Sequence, residues 1–302
     1  MGQYDQIWKE IIENLFEQFM YFYMPDLAVD VDFSKGYTFL DKEFSAIEIK
    51  SEDSEKFLDK LIKVYLKSGE EQWILVHTEV QFAKKVDFSE RMFKYFYRVY
   101  DKYNRKIVSI AIFTGTSLSY QRSFDYNFYQ TKLIYEYRSV KLVDYEEEYL
   151  LNQENPFALA TLAVKYSIES KTDEELRYNF KRKLIRLMNE RGYTEKDIKN
   201  LFDFIEIMLE LQDRKFNRLI FEEIKTYRKE EFKVIMTQLE KTVMELGMEK
   251  GMEKGMEKGR QEGIERNRLE ITKKLLKKNF SLEEISEITE LSVEKIKELS
   301  NK

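Results

Sequence analysis

The stretch from Asp59 to Gln81 constrains this chain of 302 residues more than any other, because it alternates as two strands joined by a short turn. Asp59, Leu61, Lys63 and Tyr65 share one face of the first strand, and His77, Glu79 and Gln81 share one face of the second, since successive strand side chains point to opposite sides. A turn centred on Gly69 predicts an antiparallel register with Asp59 directly opposite Glu79. Directly opposed residues have Cβ atoms about 4.5–5.5 Å apart, so two carboxylates placed this way can share one divalent cation, without which they would repel. On periodicity alone the pair reads either as a solvated strand end or as a cation site.

Composition narrows the chemistry. A charged fraction of 35% beside 43% hydrophobic residues predicts a folded chain with room for about two domains. The net charge of −5 gives no global attraction to nucleic acid, which leaves any such contact to local basic patches. The absence of cysteine excludes disulfides, thiolate metal sites and cysteine nucleophiles, and a single histidine, His77, excludes a two-histidine metal site. G-x-x-x-x-G-K-S/T, G-x-G-x-x-G and G-x-S-x-G are missing, which argues against an ATPase, a dinucleotide enzyme and an α/β-hydrolase. The first residues lack the basic and apolar regions of a secretory signal, and no run approaches ~18 apolar residues. The expectation is a cytoplasmic protein with no membrane span.

The order of patterns predicts an α/β core followed by an all-α region. Residues 5–24 read as an aromatic-rich helix ended by Pro25, and Thr38–Glu48 as a second helix. Ser89–Tyr103 carries Met92, Phe93, Phe96, Val99 and Tyr100 at helical spacing; Lys106–Thr114 is a buried-strand run, and Leu133–Val143 alternates as one or two strands. From about Glu146 the strand signal stops. Pro156–Glu169, Asp173–Arg191, Thr194–Leu211 and Arg214–Lys225 read as amphipathic helices, with Thr194 and Asp197 as a capping box. The expected divisions are a core over 1–145, a helical region over 146–235, a long charged helix over 236–278 and a helical hairpin over 279–302.

In the charged helix Gly247, Gly251, Gly255, Gly259 and Gly263 recur every four residues, mostly as Gly-Met-Glu-Lys. Each glycine costs about 1 kcal/mol against alanine, so the stripe reads either as a charged tether or as a close helix–helix contact through which copies associate. The terminal hairpin, with Ser281 and Glu284 as a capping box, reads either as a DNA-binding helix-turn-helix or as a packing and oligomerisation element.

Two carboxylates and an amide at a sheet end suit a hard cation such as Mg²⁺, which takes oxygen ligands and keeps several waters. Asp59 and Glu79 would be its ligands, and Gln81 would orient a water or a phosphate oxygen. Arg91, Lys94 or Tyr95, and Arg98 follow at spacings of three and four, a pattern that reads either as a solvated basic face or as a row of phosphate contacts.

The run Asp59-Lys-Leu-Ile-Lys-Val, then Trp73-Ile-Leu-Val-His-Thr-Glu-Val-Gln81, then Arg91-Met-Phe-Lys-Tyr95-Phe-Tyr-Arg98, then Val108-Ser-Ile-Ala-Ile, resembles the Rpn (YhgA-like) family of recombination-promoting nucleases and transposases, within the PD-(D/E)XK nuclease superfamily. Phe39-Leu-Asp-Lys-Glu43, the Gly-Met-Glu-Lys repeats and the terminal hairpin are similar to that group as well. The resemblance implies a restriction-endonuclease-like core, a mixed sheet flanked by helices, and Mg²⁺-dependent cleavage of double-stranded DNA, with Mn²⁺ as a substitute. By position it implies Asp59 as the motif aspartate, Glu79 as the motif glutamate and Glu43 as an accessory acid, with Asp41 and Glu48 near enough to compete. Gln81 stands where the wider superfamily has lysine, so the missing charge falls to Lys63 or Lys84. The alternative is a catalytically degenerate nuclease fold acting as a DNA-binding or oligomerising module.

Overall fold

Ile107–Phe113 is apolar at every position but Ser109, and such a run needs cover on both faces. A computed structural model, which describes residues 2–40, 58–79, 88–116, 122–227 and 232–300, gives it that cover. The run is strand β4, interior in a five-stranded sheet of order β1 (Thr38–Phe39), β2 (Leu58–Tyr65), β3 (Glu71–Glu79), β4, β7 (Arg138–Lys141). The sheet is mixed: β1, β2 and β3 pair antiparallel, whereas β3 with β4 and β4 with β7 pair parallel. Parallel neighbours need a crossover, and the helix Phe88–Tyr103 lies on the path from β3 to β4. The two strands expected over Leu133–Val143 are Thr131–Glu136 (β6) and β7, and β6 pairs with an unannounced strand, Ser123–Phe128 (β5), in a separate antiparallel hairpin.

Two sequence expectations need correction. The helix expected over 5–24 is broken at Leu15 into α1 (Gly2–Asn14) and α2 (Phe16–Tyr23), and Pro25 opens α3 (Pro25–Ala28) because its fixed φ suits a first helical position. Thr38 and Phe39 belong to a strand, so the helix expected from Thr38 does not start there; the rest of that segment lies outside the described residues.

The hairpin turn sets the register. Leu66 and Glu70 pair, leaving Lys67-Ser68-Gly69 as a three-residue loop with Gly69 at φ +90°, which glycine adopts without a Cβ penalty. The centre is therefore Ser68, and the glycine follows it. Moving the centre by one residue moves each partner by two, so Asp59 stands opposite His77 and not, as the alternation suggested, opposite Glu79.

Each sheet face has its own core. The odd-numbered face of β2 and β3 lies under Phe88–Tyr103, here α4, where Leu61 and Trp73 pack with Leu40, Tyr95 and Val99. The even-numbered face, with Ile62, Val64 and Ile74 fully buried, meets the N-terminal helices; Lys60 at its edge pairs with Glu13 of α1. Behind α1 and α2 lie α6 (Pro156–Glu169), α7 (Glu174–Glu190), α8 (Glu195–Met208) and α9 (Arg214–Ile224), with the short α5 (Glu147–Leu151) ahead of them. Trp8 of α1 is fully buried against Phe204 of α8, and Phe19 of α2 against Phe157 of α6. The sheet and these helices thus belong to one unit, 1–238, with no strand after Lys141 among the described residues.

Charged groups fasten this helical layer. Lys181, 1% exposed, meets Glu206 at 2.6 Å across α7 and α8. Arg182 and Arg186 of α7 both donate to Glu223 of α9; burial opposes ionisation there, yet the two guanidiniums hold the carboxyl below the usual glutamate range.

The second unit, 239–302, contains most of the helix Lys233–Lys277 (α10), followed by α11 (Leu282–Thr289) and α12 (Val293–Ser300). Ile285, Leu291 and Ile296 form a small core against Leu269, Leu275 and Leu276 of α10, and Ser281 and Glu284 make the expected capping box. Met252 and Met256 are 71% and 70% exposed, and a Cβ added at Gly255, Gly259 or Gly263 would touch nothing within 4 Å. Among the described residues, these three glycines mark no close contact.

Two outcomes follow. A carboxyl with a depressed folded pKa contributes stability that is complete above the unfolded value, about 4.3, and is lost as pH falls through the folded value. Urea titration therefore finds Glu223→Gln less stable than wild type at pH 7, with a narrower gap at pH 3. Replacing Gly255, Gly259 and Gly263 together by alanine raises helicity by circular dichroism and stabilises α10 by about 1 kcal/mol per site.

Candidate functional site

Three parallel strands bring their carboxyl ends together. β4 ends at Phe113, β7 ends at Lys141, and β3 is described as far as Glu79; the register aligns Glu79 with Phe113 and Phe113 with Lys141 in one row. One rung earlier a second row runs Asp59, His77, Ala111, Ser139. Carboxyl ends of parallel strands are where open α/β sheets receive ligands, because the chain leaves the sheet there in diverging loops.

All of these positions lie on the face covered by α4. Asp59 and Glu79 are diagonal neighbours on it, a relation that separates positions by roughly 7–8 Å. The corrected register therefore keeps the two carboxylate positions on one face and adjacent rungs while ending their direct opposition.

The first described turn of α4 stands over the row. The Phe88 ring is 5.0 Å from that of Phe113 and 6.1 Å from that of Tyr137, and the Arg91 guanidinium lies 5.5 Å over the Phe88 ring. Met92 packs with Ala111 and Tyr135, whose buried phenol, like that of Tyr137, is pushed well above the usual tyrosine range and stays neutral. Thr114 and Lys141 at the strand ends are buried, and the Ser139 hydroxyl is buried without a hydrogen-bond partner among the described residues.

The other residues singled out from the sequence are scattered. Phe88, Met92, Tyr95 and Val99 form the core stripe of α4, so Tyr95, 6% exposed beside Leu61 and Trp73, serves the core and is not set out with the arginines. Arg98 is exposed and, seven residues beyond Arg91, lies about 10 Å farther along the helix axis. Lys94 is paired with Glu90 at 2.8 Å. Lys63 stands opposite Trp73, its ammonium 5.6 Å from the Tyr65 ring, and four residues of strand put it roughly 13 Å from Asp59. Glu43, Gln81 and Lys84 lie outside the described residues.

Thr114, Ser139 and Lys141 escaped the sequence reading. Their signal is weak, a polar residue closing a strand, and it becomes meaningful only once β7 is known to pair with β4.

No protein-family model matches the chain, and comparison with curated proteins and with solved structures finds no match.

The assignment of Tyr95 to the core has a direct check. Tyr95→Phe keeps stability within about 1 kcal/mol, while Tyr95→Ala loses about 3–5 kcal/mol in chemical denaturation.

Proposed function

We propose that this protein is a Mg²⁺-dependent endonuclease of double-stranded DNA with a restriction-endonuclease-like core, a member of the Rpn family that promotes recombination or transposition in the cytoplasm. The observation that carries the proposal is the placement of Asp59 and Glu79 on one face of one hairpin, with Glu79 near the carboxyl end of β3 in register with Phe113, on which Phe88 of the Arg91-bearing turn of α4 packs. The order of hairpin, helix and parallel strand supports it further.

The donor set fits a hard cation. Two carboxylates on adjacent rungs match what Mg²⁺ takes from a protein, and a chain with no cysteine and one histidine offers little to softer metals. When bound, Mg²⁺ polarises a phosphodiester and lowers the pKa of an attacking water; Mn²⁺ accepts the same ligands. Asp59 and Glu79 hold the cation, with Glu43 as an accessory acid. Gln81 positions the water through its amide, and Arg91 meets a phosphate oxygen, a contact that orients DNA without reading its sequence.

A second reading, a degenerate nuclease fold kept for DNA binding or self-association, draws on Gln81, because an amide hydrogen-bonds but adds no charge. Purified protein is expected to nick or linearise plasmid DNA with Mg²⁺ and not with EDTA. Asp59→Ala and Glu79→Ala each abolish this while keeping a cooperative thermal transition. DNA binding without cation binding in calorimetric titration would support the second reading.

A further inference from the structure

We infer that two copies of this chain pair through the open edge of β6, antiparallel about Ile134, so that their hairpins join into one four-stranded sheet. The pairing uses no residue of the nuclease reading and goes beyond it.

The hairpin leaves that edge open. Phe128 and Thr131 flank the two-residue turn Tyr129-Gln130, and a turn that short closes on a hydrogen-bonded pair. Backbone groups therefore alternate. Thr131, Leu133 and Tyr135 direct theirs to β5, as does Tyr137, whose N–H donates to the Arg122 carbonyl at 3.4 Å; Lys132, Ile134 and Glu136 direct theirs to the other side. Among the described residues β5 is the only strand beside β6, and no hydrogen bond takes up these outward groups.

An edge of this kind accepts another strand. A row of unpaired N–H and C=O groups is a template for pairing, which proteins block with proline, a bulge or charge. β6 has no proline, pairs with β5 without a bulge, and carries at the middle of its open edge Ile134, 70% exposed. The base of the hairpin is anchored on α4, where Phe124 stacks on Phe93 and Tyr135 packs on Phe96, but Tyr126, Phe128 and Tyr129 toward the tip are exposed. Two strands alone are marginal in water, and further strands stabilise them.

The charges of the edge select the occupant. Lys132, Ile134 and Glu136 are exposed on one face, and across the hairpin Lys132 faces Asn127 and Glu136 faces Ser123, so neither stands opposite its counter-charge in β5. A second β6 laid antiparallel about Ile134 brings Glu136 of the second copy opposite Lys132, and its Lys132 opposite Glu136. Symmetric pairing about Lys132 or Glu136 would set like charges together, and pairing about Leu133 or Tyr135 would set one of the charges against Ile134. Only the register about Ile134 matches both charges. The two strands then exchange hydrogen bonds at Lys132, Ile134 and Glu136, and each Ile134 packs on its counterpart. A two-fold axis through that contact uses the same patch on both copies.

The test is sedimentation velocity of the full chain and its charge variants, each confirmed as folded by its thermal transition. Wild type is expected to sediment as a dimer. Lys132→Glu and Glu136→Lys each turn both cross-strand pairs into like charges and raise the dimer Kd by about tenfold or more. Mixing these two variants, or combining both changes in one chain, restores opposite charges and recovers most of the lost affinity. A general effect of net charge would instead tighten the dimer of Glu136→Lys, since the chain carries −5. Ile134→Cys supplies the one cysteine of the chain, at the two-fold axis, and a short bis-maleimide is expected to join two copies through it. A monomeric wild type, a dimer that both charge reversals leave unchanged, a loss that neither mixing nor combination recovers, or no cross-link at position 134 overturns the pairing.

Discussion

The parallel pairing of β3 with β4 is the constraint on which the rest depends. An antiparallel continuation would return the chain through a tight turn, whereas a parallel neighbour requires it to travel back along the sheet first. Here α4 occupies that return path. It commits the odd-numbered face of the sheet to a helical cover, stations Arg91 near the carboxyl ends, and aligns the ends of β3, β4 and β7. Asp59 reaches the same place from the antiparallel side, so one edge of the sheet gathers residues from four strands.

Charge is distributed unevenly along the chain. The chain is net acidic, and in the C-terminal hairpin Glu283, Glu284, Glu287, Glu290, Glu294 and Glu298 outnumber Lys295, Lys297 and Lys302. Arg268 and Lys295 are engaged there by Glu290 and Glu265.

Much of this was legible in the letters. Long periodic helices from Pro156 onward match their expected bounds closely, because caps at Asn155, Asp173, Thr194 and Asp213 mark their starts. The strand character of Trp73–Glu79 and Ile107–Phe113 was equally plain. What the letters hid were relations between segments. Gly69 marks the turn but not its centre, since a left-handed residue falls after the middle of a three-residue loop. Tyr95 shares helical spacing with the arginines, and only the position of the core shows that it belongs with Val99. The row that joins Glu79, Phe113 and Lys141 exists only once β7 is seated beside β4.

The two tryptophans have a consequence for observing this protein at work. Trp8 is sealed on the even-numbered side, edge-on to Phe204 at 5.0 Å, and Trp73 sits on the odd-numbered side, 6% exposed, its indole donating to Glu71 at 2.7 Å. Each core therefore carries its own intrinsic fluorophore. A variant retaining Trp73 alone reports by emission on the side that faces α4, and one retaining Trp8 alone reports on the helical layer. Loosening of the core under α4 and loosening of the helical layer become separate optical signals in an unlabelled chain.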